Sequence, residues 1–151
     1  LRDLSHELDL ANWLLGPWRQ LAARGGRLSR LDISSDDCWT LLAGHENCPL
    51  VTIHLNYLDR TPRRFIRLNG TEDTIEVDLI SGIVNTGGEQ QGFPVDMTGS
   101  YRDQLRCFLA GGGAPLCDLT QALQVQRMIL AAERANEASV WIGASDMEEG
   151  A

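Results

Sequence analysis

The sequence predicts an α+β domain, a predominantly antiparallel, open-faced sheet with helices packed on one face. Three observations carry that expectation. Helical apolar periods open and close the chain, whereas Val51, Ile53, Leu55 and Tyr57 alternate with Thr52, His54 and Asn56 in a period of two. The connections between the middle strands are too short to hold the crossover helices that parallel strands need. A length of 151 residues with 43% apolar content suits a single core.

In chain order, Leu4, Leu8, Ala11 and Leu15 make a helical stripe over Ser5–Leu15, broadened by Trp13 and Leu14. Asp3 or Ser5 is the expected N-cap, Glu7 suits the positive end of the helix dipole, and Gly16-Pro17 is the stop. A first strand follows from Trp18 and ends near Gly25-Gly26. Cys38–Ala43 is the next strand, entered from the acidic turn Ser34–Asp37, and Gly44–Pro49 turns the chain into the alternating strand. Arg63–Leu68 is expected to continue the same sheet, Asn69-Gly70 to turn it, and Ile75, Val77 and Leu79 to line the next strand. Ile83–Thr86 adds a short strand and Gly87–Pro94 a polar loop. A helix over Ser100–Leu109 presents Tyr101, Leu105, Phe108 and Leu109 and is broken by residues 111–115. The last helix runs from an Asp118 or Thr120 cap to about Ala138, with Leu119, Leu123, Val125, Ile129, Leu130 and Ala132 as its buried face. Val140, Trp141 and Ile142 form a short closing strand, and residues 143–151 an acidic, frayed tail.

Charge and composition narrow the function. The net charge of -8 repels nucleic acid and anionic lipid, and no apolar run approaches the ~20 residues a membrane span needs. All thirteen basic residues are arginine, so Schiff-base chemistry and a lysine general acid have no residue here. Cys38, Cys48, Cys107 and Cys117 form no C-x-x-C pair, and His45-x-x-Cys48 alone does not make a zinc site, so no metal is expected and the thiols read as buried and free. The expected location is cytoplasmic. Leu1 already sits inside a patterned segment, which reads as a piece of a longer protein.

His6 is the sharpest candidate for chemistry. An imidazole can take a hydroxyl proton near neutral pH, and a carboxylate three residues away on a helix, Asp3, can orient it. The plainer alternative leaves Asp3 as a cap and His6 in solvent. Arg60, Arg63, Arg64 and Arg67 make a second candidate, able to clamp a carboxylate or phosphate bidentately, or else a solvated strand end. Tyr57 is a possible partner for a sugar hydroxyl.

The segment Arg2–Gly16, RDLSHELDLANWLLG, resembles the helix of the glucose-fructose oxidoreductase / inositol dehydrogenase / MocA (Gfo/Idh/MocA) family that carries a D-x-x-x-H and a following I-D or L-D pair. VTIHLNYLDRTPRRFIRLNGTEDTIEVD resembles the family's strand, arginine, strand, glycine-turn, strand passage, and residues 101–142 its closing helices and last strand. The resemblance implies that residues 1–142 are the C-terminal substrate-binding and oligomerisation domain of an oxidoreductase acting on a sugar or sugar derivative. An N-terminal Rossmann domain would hold NAD or NADP and supply the lysine, and none of the cofactor is expected bound to this piece, which lacks the G-x-G-x-x-G fingerprint. It implies His6 as the catalytic base, and the residues themselves offer Arg2, Arg60, Arg64 and Tyr57 as candidate substrate contacts. The family's aspartate stands four residues before its histidine, where this sequence has Arg2. Either Asp3 fills the role from a shifted register, or Arg2 replaces it and points to an anionic sugar. The partners implied are a small sugar-like molecule and further copies of the chain, as a homodimer or tetramer formed through the open sheet face. The competing reading is a non-catalytic binding or dimerisation domain of the same fold.

Overall fold

The computed structural model describes residues 1–113 and 116–147. It confirms the α+β class and divides the chain into two compact units, residues 1–58 with 117 onward, and residues 59–116.

The first unit enters through a 3-10 turn, Arg2–Leu4, into helix α1, Ser5–Leu15. Leu8 of the apolar stripe is fully buried, whereas Trp13, expected to broaden it, is 69% exposed. The N-cap is Leu4 and no side chain caps the helix. The expected Asp3 or Ser5 cap fails because the 3-10 turn already supplies backbone bonds there, Leu4 N–H to the Leu1 carbonyl and Ser5 N–H to that of Arg2. Gly16, at φ 78°, ends the helix in a conformation open to glycine.

Strands β1 (Trp18–Gly26), β2 (Cys38–His45) and β3 (Val51–Asn56) form an antiparallel meander. The chain returns through α3, Leu119–Ala138, to a two-residue strand β8, Ile142–Gly143, which pairs with β1 and completes the order β3-β2-β1-β8. Alternation sorts the faces. Trp39, Leu41, Ala43, Ile53 and Leu55 point into the core, while Thr40, Leu42, Thr52 and His54 face outward. α3 lies against β1, and α1 against α3, so both helices cover one face.

Asp118 caps α3, accepting from Gln121 N–H at 2.8 Å while Gln121 Oε1 accepts from Asp118 N–H at 2.9 Å. The buried face is Val125, Met128, Ile129, Ala131, Ala132 and Ala135, and Leu119, Leu123 and Leu130 are exposed. Close approach to β1 favours alanine over the larger leucines. Beyond β8, Ser145–Met147 form a 3-10 turn with Met147 buried, so the first part of the expected frayed tail is packed. Residues 148–151 of that tail lie outside the described residues.

The second unit is a separate antiparallel meander of β4 (Phe65–Asn69), β5 (Thr74–Asp78), β6 (Ile83–Thr86) and β7 (Glu89–Gly92), followed by α2, Met97–Leu109. The second sheet does not continue the first, contrary to the sequence expectation. The expected polar loop after Thr86 is a hairpin, because Gly87 and Gly88 both take positive φ and return the chain along β6. Asp96 accepts from Gly99 N–H at 2.8 Å and starts α2 earlier than the sequence predicts. The expected break falls on Gly111–Gly113, all at positive φ, and on residues 114 and 115, which lie outside the described residues. Among the described residues of this unit only Gly99 is buried, and Tyr101, Leu105, Phe108 and Leu109 of α2 are exposed.

Candidate functional site

α1 carries His6 in its first turn, where the missing intrahelical partners leave backbone and side chains open to solvent. The imidazole is 55% exposed, and its Nε2 lies 3.4 Å from Glu7 Oε1. The carboxylate that reaches His6 is therefore its neighbour Glu7, whose side chain is mostly covered. Asp3 instead accepts from the Tyr57 hydroxyl at 3.3 Å.

That Tyr57 contact is built by the sheet. Tyr57 follows β3, and its N–H donates to the Asp37 carbonyl at 2.9 Å, which carries the side chain over the 3-10 turn. Partial burial pushes the Tyr57 phenol up from its ordinary value, and the charge and hydrogen bond of Asp3 act in the same direction. The hydroxyl thus stays protonated at neutral pH and is available as a donor.

Arg2 points elsewhere. Its Nε donates to Glu133 Oε1 at 3.1 Å and its Nη2 to Oε2 at 3.2 Å, a bidentate pair that ties the 3-10 turn to α3. Arg60 and Arg64 belong to the second unit. Arg64 lines a cavity of about 260 Å³ with Pro62, Arg63, Phe65, Asp78 and Ile80. Arg67 is bound to Glu76 at 3.1 Å across β4 and β5. The structure therefore brings Asp3 to Tyr57 and His6 to Glu7. Sequence reasoning overlooked Glu7 as a partner because adjacent helical residues point apart, and only the open first turn lets the two meet.

All four cysteines are free, but none is buried: three are half-buried and Cys117 is exposed. Burial pushes the Cys38 and Cys117 thiols up. Among the described residues no group of three or more His, Cys, Asp or Glu can hold a metal ion, and no helix is long and apolar enough to cross a membrane. Gly87-Gly88 joins two strands and Gly111–Gly113 follow a helix, so neither leads from a strand into a helix N-terminus.

No protein-family model matches the sequence, and no curated protein does. Solved structures do match. An oxidoreductase from Agrobacterium radiobacter, in complex with NAD+, L-tartaric acid and magnesium, is 20% identical over 95% of this chain and 48% of its own, with a TM-score of 0.74. The WlbA dehydrogenase from Bordetella pertussis, in complex with NADH and UDP-GlcNAcA, is 20% identical over 93% of this chain and 46% of its own, at 0.70. An NAD binding oxidoreductase from Klebsiella pneumoniae is 15% identical over 93% of this chain and 49% of its own, at 0.77. The chain spans about half the length of these proteins and shares the fold of that half.

Proposed function

We propose that residues 1–142 are the C-terminal substrate-binding and oligomerisation domain of a Gfo/Idh/MocA-like, NAD(P)-dependent oxidoreductase acting on a hydroxyl or carbonyl of a sugar or sugar derivative. The observation that carries the reading is the fold likeness to about half of several oxidoreductases, two of them in complex with NAD+ or NADH. The nicotinamide, held by the other half of such a protein, supplies the two-electron chemistry. This chain supplies the acid-base group.

His6 takes the proton of the substrate hydroxyl during oxidation and returns it during reduction. With Nε2 directed at Glu7, the lone pair offered to substrate is on Nδ1. Base catalysis of this kind contributes roughly 10² to 10⁴ in rate. Asp3 and Tyr57 form an acceptor-donor pair suited to a sugar diol, whose hydroxyls both give and accept hydrogen bonds. Arg2 pairs with Glu133 yet stays mostly exposed, and it is the alternative proposed contact for an anionic sugar. In the second unit, Arg60 and Arg64 are proposed, by themselves, to bind a carboxylate or a phosphate. The outward face of Thr40, Leu42, Thr52 and His54 is the proposed contact between copies.

The whole gene product, assayed with NAD+ and NADP+ against neutral sugars, uronic acids and sugar nucleotides, should produce reduced nicotinamide with at least one class. A whole protein that binds neither dinucleotide would overturn the reading.

A further inference from the structure

His45, at the end of β2, is 4% exposed and takes no part in the proposed chemistry. Its Nδ1 lies 2.9 Å from the Gly16 carbonyl, an acceptor only, so the proton is on Nδ1 and Nε2 carries a lone pair. Nε2 is buried without a hydrogen-bond partner. The other unpartnered buried atom at this corner is Nδ2 of Asn12, whose Oδ1 accepts from Trp18 N–H at 3.2 Å. Nδ2 is a donor, so it cannot accept a hydrogen bond from a protonated Nε2.

The surrounding contacts make this corner a single joint. His45 is opposite Trp18 in the β1–β2 ladder. Glu46 N–H donates to the Pro17 carbonyl at 3.0 Å and Asn47 N–H to that of Leu15 at 2.9 Å. From α3, the Gln124 carbonyl accepts from the Trp18 indole at 3.3 Å. Arg19 on β1 and Glu46 on the turn are paired to each other at 2.8 Å, and the Cys48 thiol donates to the Leu50 carbonyl. Burial pushes the imidazole below its ordinary value of 6.5, with the bond to the Gly16 carbonyl opposing it.

We propose that His45 is an acid-sensitive latch on the joint between α1 and β1. Neutral, it ties the end of α1 to the end of β2; protonated at Nε2, it places a charge and an unsatisfied donor in a buried site and releases the joint. A solvent proton adds to the Nε2 lone pair while the Nδ1 proton stays. α1 carries His6 at its opposite end, so the latch controls the anchoring of that helix whatever reaction the domain serves.

The sign follows from linkage. A base with a depressed folded value contributes stability that is complete above 6.5 and is lost as pH falls below it. Amide hydrogen exchange of the whole chain between pH 7.5 and 5.5, corrected for intrinsic rates, reads the joint directly. Protection of Glu46 and Asn47 should fall by up to about tenfold per pH unit below 6.5 in the wild type. It should lose that pH dependence in His45→Asn, which keeps a donor where Nδ1 stands and cannot be protonated. The same dependence in both proteins would overturn the proposal. Should His45→Asn not fold, the wild-type ring resonances decide: the His45 ring should titrate below the ordinary 6.5, and titration centred at the ordinary value would overturn the latch.

Discussion

Gly25→Ala tests the packing that sets the central sheet. Gly25 of β1 stands directly opposite Trp39 of β2, and its N–H donates to Asn136 Oδ1 of α3 at 3.2 Å. A Cβ at Gly25 would lie within the Trp39 indole, 2.6 Å from Cε3 and nearer still to Cδ2. Glycine to alanine in a strand ordinarily gains about 0.5–1 kcal/mol, whereas an extra methyl forced into a packed core costs about 1–3 kcal/mol. Trp39 is 4% exposed and its indole N–H donates to Asp36 at 2.9 Å, so the ring has no free path away. The steric effect wins. Net destabilisation of about 1 kcal/mol is expected, a roughly fivefold loss in the folding equilibrium and a fall of about 0.5 M in the urea midpoint. In a Trp39→Leu background the same change should be neutral or stabilising, so a double-mutant cycle read by circular dichroism isolates the contact. Equal costs in the two backgrounds would refute the reasoning.

Asp37, 1% exposed, accepts from Leu28 N–H at 2.8 Å, Ser29 N–H at 2.9 Å and the Ser29 hydroxyl at 2.5 Å; the Ser29 hydroxyl and the Leu28 amide hold its carboxyl below the usual value of 3.8. Its stabilisation is therefore present above that value and lost as pH falls below it, so Asp37→Asn should be less stable at pH 7 and show a shallower loss in urea titrations from pH 5 to 2. The isolated chain should give no NADH binding isotherm at micromolar concentration by calorimetry; measurable binding would place a dinucleotide site within it. Leu42→Asp, on the outward face between Ala22 and Thr52, should lower the mass measured by light scattering if that face joins copies, and an unchanged mass would remove the face from the interface.

The parts of the fold legible in the sequence are those set by local rules. The apolar stripe and the Gly16-Pro17 stop give the bounds of α1, the Gly25-Gly26 pair gives the end of β1, and Asp118 gives the start of α3. What stayed hidden depends on tertiary contact. The buried face of α3 keeps the expected Val125, Ile129 and Ala132 but takes Met128, Ala131 and Ala135 in place of Leu119, Leu123 and Leu130, a choice made by contact with β1 that no helical period encodes. The meander over Arg63–Thr86 reads as a continuation, since nothing in a strand's pattern says which sheet it joins. Gly87-Gly88 did carry a signal, the two-residue hairpin turn, which its polar flanks obscured.

The candidate site divides in the same way. His6 is legible as a histidine off the apolar stripe at a helix start. Its contact with Glu7 and the pairing of Asp3 with Tyr57 depend on a 3-10 entry turn and on where β3 ends, neither of which spacing reveals. Asp37 and His45, the buried ionisable side chains among the described residues, both lie in stretches that read as turns.

The central claim is that His6 is the base of an oxidoreductase, and the kcat of His6→Ala in the whole protein tests it most directly. The side chain is off the core, so melting temperature and dinucleotide affinity should stay near wild type while kcat falls by roughly 10²- to 10⁴-fold. Near-full turnover in His6→Ala at saturating substrate, with hydride transfer shown to limit the rate, would contradict the account and leave His6 a surface residue at a helix start.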